Sequence, residues 1–141
     1  MAYLEARYLV DKSALARMRK HAAVAERLAP ILELGEAATC SMIDLEVLYS
    51  ARTAEDHRQI RQRRDLAYRR FPMTEEIFQR AIAVQGLLAE QNLHRLPIPD
   101  LLVAATAERH DLTVLHYDRD CERIGAVTGQ SMEWIVEPGS I

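Results

Sequence analysis

The feature that most restricts the fold of this chain is an alternation. Four short apolar runs, Tyr8–Val10, Ala37–Cys40, Thr113–Tyr117 and Met132–Val136, are separated by long segments with helical spacing and not by tight turns. Antiparallel strands can be joined by two residues, whereas parallel strands need a crossover of a dozen or more, usually a helix. The alternation therefore predicts an α/β fold: a central, mostly parallel sheet of four to five strands with helices on both faces.

The segments between the runs carry their own punctuation. Lys12–Leu34 is rich in Ala, Leu, Arg and Glu and predicts two helices divided at Pro30, which removes a backbone donor, with Gly35 as a stop signal. Ser41-Met42-Ile43-Asp44 has the spacing of a capping box, which gives Asp44 a local task at the start of the next helix. An arginine-rich helix follows Thr53 and ends before Phe71-Pro72. Behind a Thr74 cap, Ile77, Ala81, Val84 and Leu88 trace one helical face that ends near Asn92. The extended Leu96-Pro97-Ile98-Pro99-Asp100 leads into Leu101–Ala107, apolar almost all round and hence a buried helix.

At 141 residues, 49% of them hydrophobic, the chain has the length and apolar content of one folded domain, 1–141, and is not a disordered segment. No apolar run approaches the roughly 20 residues of a membrane span. The opening Met1–Tyr8 carries Glu5 and Arg7 where a secretory signal needs an apolar stretch, so a soluble, cytoplasmic protein without a membrane partner is expected. Cys40 and Cys121 are too few for a disulfide framework and lack the paired spacing of a zinc site. The five histidines are scattered, and no Ser-His-Asp order, Walker loop or nucleotide-binding glycine fingerprint is present. Net charge is −3, yet seven arginines face three acids between Arg52 and Arg70, so the rest of the chain is acidic. A phosphate-binding face beside an acidic cleft is compatible with that asymmetry.

In an open parallel sheet, ligands bind beyond the carboxyl ends of the strands. Asp11 and Asp118 each end an apolar run and are expected at that edge. Asp100 opens the buried helix, and Glu46 lies mid-helix on a polar strip from which it can reach the same cleft. Singly, each acid has a local explanation as a helix cap, a dipole partner, a turn residue or a solvated side chain. Together they repel: two carboxylates about 4 Å apart cost about 4 kcal/mol at an effective dielectric of about 20, so a cluster calls for a cation. All-oxygen ligands suit Mg2+ or Mn2+, which activate water and stabilise charge on a phosphodiester under attack. Two other classes remain open at this point: a receiver-like phosphoacceptor domain, with Asp11 phosphorylated, and a non-catalytic module that binds nucleic acid or protein through its arginine helix.

The ordered blocks Tyr8-Leu9-Val10-Asp11-Lys12-Ser13, Ile43-Asp44-Leu45-Glu46-Val47, Pro99-Asp100 through Ala107, and Asp118-Arg119-Asp120 resemble those of the PIN-domain ribonucleases. In length the chain is similar to the VapC-type toxins of bacterial toxin-antitoxin pairs. The resemblance implies a three-layer sandwich and a Mg2+- or Mn2+-dependent endoribonuclease. Asp11, Glu46, Asp100 and Asp118 would be its catalytic acids, with Asp11, Asp100 and Asp118 on the metal. Ser13 and Asp120 would support them. It also implies an RNA substrate, a cognate antitoxin that covers the cleft, and a homodimer. Within the arginine helix, Arg63 and Arg64 are the candidates for contact with RNA phosphate, against the plainer reading of a solvated face. Three residues depart from the family pattern: Lys12 where Thr is frequent, His116 where a hydroxyl is common, and Cys121 where Phe often follows.

Overall fold

The structure is a computed structural model that describes residues 6–141, so Glu5 in the charged opening lies outside the described residues. In chain order the elements are β1 (Tyr8–Val10), α1 (Lys12–Leu15), α2 (Ala22–Glu33), β2 (Ala37–Thr39), α3 (Ser41–Leu48) and α4 (Ala54–Ala67). There follow β3 (Arg69–Arg70), α5 (Glu75–Ala89), α6 (Ile98–Arg109), β4 (Thr113–His116), α7 (Arg119–Thr128) and β5 (Met132–Trp134). The strands form one sheet in the order β3-β2-β1-β4-β5, with every pairing parallel. No helix among the described residues is long and apolar enough to cross a membrane.

Period-two alternation places the core on both faces of the sheet. Val10, Leu115, Ala37 and Ile135 point to one side, where Ala14, Val24, Leu28 and Ile31 of α1 and α2 cover them. Leu9, Val114 and Ala38 point to the other, against Ile43 of α3, Val103 and Ala107 of α6, and Cys121 of α7. Helix α6 is buried all round because it has two neighbours. Its Leu101, Leu102, Ala104 and Ala105 turn away from the sheet onto Ile77, Ala81, Val84 and Leu88 of α5. Gly125 of α7 leaves room for β5: a Cβ there would lie 2.8 Å from the Met132 side chain.

Four local expectations are corrected. The division in Lys12–Leu34 falls after α1, where tight turns at Arg17 and Met18 precede α2, and not at Pro30. Pro30 sits inside α2 on its exposed side, so the carbonyl it leaves unpaired can meet water, while Leu28 and Ile31 anchor the helix beside it. A fifth strand, Arg69–Arg70, lies where the arginine-rich segment was expected to stay helical until Phe71; it pairs with Ala38 and Thr39. Cys40, and not Ser41, caps α3, without a side-chain bond. Asp44, expected to close a capping box, is buried among cations. Its Oδ1 accepts from Arg64 Nε at 2.9 Å and Thr39 Oγ1 at 2.9 Å, and its Oδ2 from Arg70 Nε at 2.6 Å.

This Asp44 cluster joins β2, α3, α4 and β3. Removing one partner of a buried ion pair leaves the other charge desolvated and uncompensated. Asp44→Ala should therefore lower the unfolding free energy by about 3–5 kcal/mol in urea titration. Arg63→Ala, on the exposed side of the same helix, should stay within about 0.5 kcal/mol of the parent. Equal effects of the two changes would refute this account of the cluster.

Candidate active site

The chain leaves β1 toward β2 and leaves β4 toward β5, on opposite sides of the sheet, although β1 and β4 are neighbours. Connections that diverge from adjacent strand ends open a crevice at the carboxyl edge. Asp11 and Asp118 stand at this crevice. Asp11 follows β1, with its N–H bonded to the Leu115 carbonyl at 2.9 Å, and Asp118 follows β4 after Tyr117.

Each of these two acids caps the helix it introduces. The Asp11 Oδ2 accepts from the Ser13 N–H at 3.1 Å and from the Ser13 hydroxyl at 2.6 Å. Ser13 Oγ in turn accepts the Tyr117 N–H at 2.9 Å, so one hydroxyl ties the end of β1 to the end of β4. Asp118 Oδ1 accepts the Asp120 N–H at 2.9 Å. The Asp118 N–H donates to Nδ1 of His116, a fully buried ring that lies 4.8 Å from Trp134. Capping uses one oxygen of each carboxylate and leaves the second for the crevice.

Asp100 arrives from the first turn of α6, and its Oδ2 is buried without a hydrogen-bond partner among the described residues. Asp100, Asp118 and Asp120 each turn one carboxylate oxygen so that the three lie within 4.8 Å of one another. Asp120, expected to support the four acids either directly or from behind them, is in the tightest group, while Asp11 stands beside that trio and not within it. One Asp120 oxygen also accepts from Arg123 at 2.7 Å.

The electrostatics record the crowding. Burial first, then the charges of Asp11, Asp118, Asp120 and Glu46, push the Asp100 carboxyl up to about 7. Glu46, half-buried on α3, is also raised, by burial and by Asp11, against the opposing pull of Lys12. The Asp11 and Glu46 charges thus bear on Asp100, while the carboxylate oxygens that close to within 4.8 Å of one another are those of Asp100, Asp118 and Asp120. Burial and the same carboxylates push the Cys121 thiol up, so it stays protonated and offers no thiolate ligand. An oxygen-only donor set with a buried, unpartnered Asp100 oxygen fits a hard divalent cation.

The arginine helix divides differently from expectation. Arg64, expected to meet substrate phosphate, is buried: Asp44 holds its Nε, Thr39 receives its Nη2, and the guanidinium lies over Tyr68. It braces the fold. Arg63 is exposed.

A family model described as PIN domain matches residues 8–127. The chain is 47% identical over 137 residues to ribonuclease VapC21 of Mycobacterium tuberculosis, covering 95% of this chain and 97% of that one. It is 41% identical over 138 residues to ribonuclease VapC51 of the same organism, covering 96% and 97%. Among solved structures, VapBC2 of Rickettsia felis bound to a DNA fragment from its promoter superposes with a TM-score of 0.74. That alignment covers 93% of this chain and 98% of the other at 13% identity, a likeness of fold.

The raised Asp100 carboxyl sets a pH dependence for the metal-free protein. Its contribution to stability is fully present below the ordinary value of 3.8 and is lost as pH rises through about 7. With allowance for solvent screening, about 2 kcal/mol is at stake. Asp100→Asn should raise the melting temperature in chelator by roughly 4–8 °C at pH 8 and hardly at all at pH 4. Scanning calorimetry at the two pH values checks this, and a pH-independent change would count against a cleft of crowded charge.

Proposed function

The chain belongs to the PIN domain family, a ribonuclease of the VapC type, and from that premise we propose that the acidic cleft hydrolyses RNA phosphodiesters with Mg2+ or Mn2+. The observation that carries this reading is the convergence of Asp100, Asp118 and Asp120 oxygens within 4.8 Å of one another, together with a buried Asp100 Oδ2 that has no hydrogen-bond partner among the described residues. The four catalytic acids are Asp11, Glu46, Asp100 and Asp118, with Asp120 as a direct ligand and Ser13 in support.

Asp100, Asp118 and Asp120 would hold the ion, with Asp11 on the flank. When bound, the dication neutralises the cluster, polarises the phosphodiester and lowers the pKa of water. The residues of the chain do the rest. Asp100, whose carboxyl is pushed up to about 7, would release its proton to solvent on becoming a ligand. Ser13 fixes which Asp11 oxygen faces inward by bonding the other. Asp11 or Glu46 would accept the proton that water gives up as its oxygen bonds to phosphorus, while the bond to the leaving ribose oxygen breaks and that oxygen takes up a proton from solvent. Arg63 is the remaining candidate on α4 for a contact with the RNA backbone.

The chain reads as the toxin of a toxin-antitoxin pair in the cytoplasm, functional as a single domain. The solved structures that share its fold include VapBC pairs and a toxin-antitoxin complex from Klebsiella pneumoniae, which supports a cognate antitoxin as partner. A cationic antitoxin side chain at the cleft would satisfy the same carboxylates as the ion. Phe78 and Ile82, one turn apart on α5, stay exposed, apolar surface suited to a second copy of the chain.

Purified protein should cleave single-stranded RNA with Mg2+ or Mn2+ and not with chelator. Asp100→Asn and Asp118→Asn should each lower kcat/KM by at least about a hundredfold, a loss of several kcal/mol of transition-state stabilisation. Arg63→Ala should weaken RNA binding modestly and reduce its salt slope by about one. Protein that binds RNA yet cleaves none with either metal would favour a binding module and refute the hydrolase.

A further inference from the structure

Past the end of β4 the backbone must turn sharply to deliver Asp118 and Asp120 into the cleft, and two successive N–H groups leave the sheet there. Side chains take both. The Tyr117 N–H goes to Ser13 Oγ at 2.9 Å and the Asp118 N–H to His116 Nδ1 at 3.1 Å. Ser13 also holds Asp11 through its hydroxyl, whereas His116 meets the site through the Asp118 N–H.

The imidazole is held on every side. It is fully buried, its own carbonyl accepts the Ile135 N–H at 2.8 Å, and its ring lies 4.8 Å from Trp134, which meets Tyr117 edge-on at 5.3 Å. An Nδ1 that accepts an N–H carries no proton, so the ring is neutral and its proton is on Nε2. That Nε2 is buried and has no hydrogen-bond partner among the described residues. A leucine could fill such a site without burying an unpaired donor, so packing alone does not account for histidine here. What the ring supplies and an apolar side chain cannot is the acceptor at Nδ1.

We propose that His116 is a positioning residue, a tautomer-locked acceptor that fixes the Tyr117–Asp118 turn and so sets the aim of the Asp118 and Asp120 carboxylates. The inference rests on the reading of the cleft as a cation site. Asp120 depends on it through Asp118, whose Oδ1 receives the Asp120 N–H. The device stands behind the ligands and is chemically distinct from the hydroxyl that braces Asp11. A support of this kind governs how well carboxylates are aimed before any ion arrives.

Two measurements test it. In wild-type metal-free protein labelled with 15N-histidine, NMR should find His116 as the Nε2–H tautomer with Nδ1 unprotonated; an Nδ1–H tautomer overturns the proposal. Calorimetric titration with Mn2+ should then separate two variants. His116→Leu keeps the bulk and loses the acceptor, and should bind Mn2+ about 10–100-fold more weakly, with kcat reduced and the KM for RNA little changed. His116→Asn restores an acceptor where Nδ1 lay and should stay within about threefold of wild type. A leucine variant equal to wild type, or an asparagine variant as weak as leucine, overturns the proposal. If the leucine variant does not fold, the tautomer and the asparagine variant decide. Wild-type protein that binds no Mn2+ would instead overturn the reading of the cleft, with the tautomer still measurable.

Discussion

The parallel pairing of β1 with β4 is the constraint from which the site follows. Tyr8, Leu9 and Val10 lie beside Thr113, Val114 and Leu115 in one register. A slip by one residue would turn Leu9 and Val10 to the wrong faces of a sheet that is apolar on both, so the register is strongly enforced. Asp11 and Tyr117-Asp118 follow those strands directly, and their separation is therefore set by core packing. The carboxylates meet because Val10 and Leu115 must. Ser13 and His116 then refine the meeting by hydrogen bonds to the two N–H groups that the sheet no longer pairs.

Two clusters of acids show opposite solutions to one electrostatic problem. Asp44 is more deeply buried than Asp100, Asp118 or Asp120, and both of its oxygens are paired with guanidinium groups that belong to the chain, with Arg70 further tied to Asp65. Every charge there is answered internally. In the cleft no lysine or arginine among the described residues pairs with Asp100, and burial with the neighbouring carboxylates pushes its carboxyl up to about 7. A chain able to neutralise Asp44 with two arginines has the means to neutralise Asp100 likewise. An arrangement that leaves Asp100 uncompensated is consistent with a counter-charge that arrives from outside.

Much of this arrangement is legible in the sequence where it rests on short-range pattern. Asp11 and Asp118 end apolar runs, and Asp100 opens a helix whose all-round apolarity marks it as central. What escapes the sequence depends on partners far along the chain. Asp44 satisfies the spacing of a capping box, but its true partners, Arg64 and Arg70, lie on a later helix and strand, and no local pattern reveals them. Strand β3 is two arginines long and carries no apolar signature; only pairing with Ala38 and Thr39 makes it a strand. Pro30 misleads because the cost of proline depends on which carbonyl it orphans, and that depends on exposure. Arg63 and Arg64, adjacent in a basic run, are separated by the helical turn into one solvated and one buried side chain.

The most crowded carboxyl sits on the most buried helix, and the pairing has a physical reason. The amino end of α6 offers Asp100 the favourable end of a helix dipole, worth about 0.3–1 kcal/mol. Repulsion from a single neighbouring carboxylate about 4 Å away is several times larger. Left to itself, the first turn of such a helix would fray and carry Asp100 out to water. Leu101 through Ala107 prevent this, since all seven are buried between the sheet and α5. Withdrawing Leu101 and Leu102 from that contact would cost about 1.5–3 kcal/mol for each side chain, comparable with the repulsion relieved. The apolar run that identifies α6 in the sequence is thus also what holds the acid in a place that electrostatics alone would not choose.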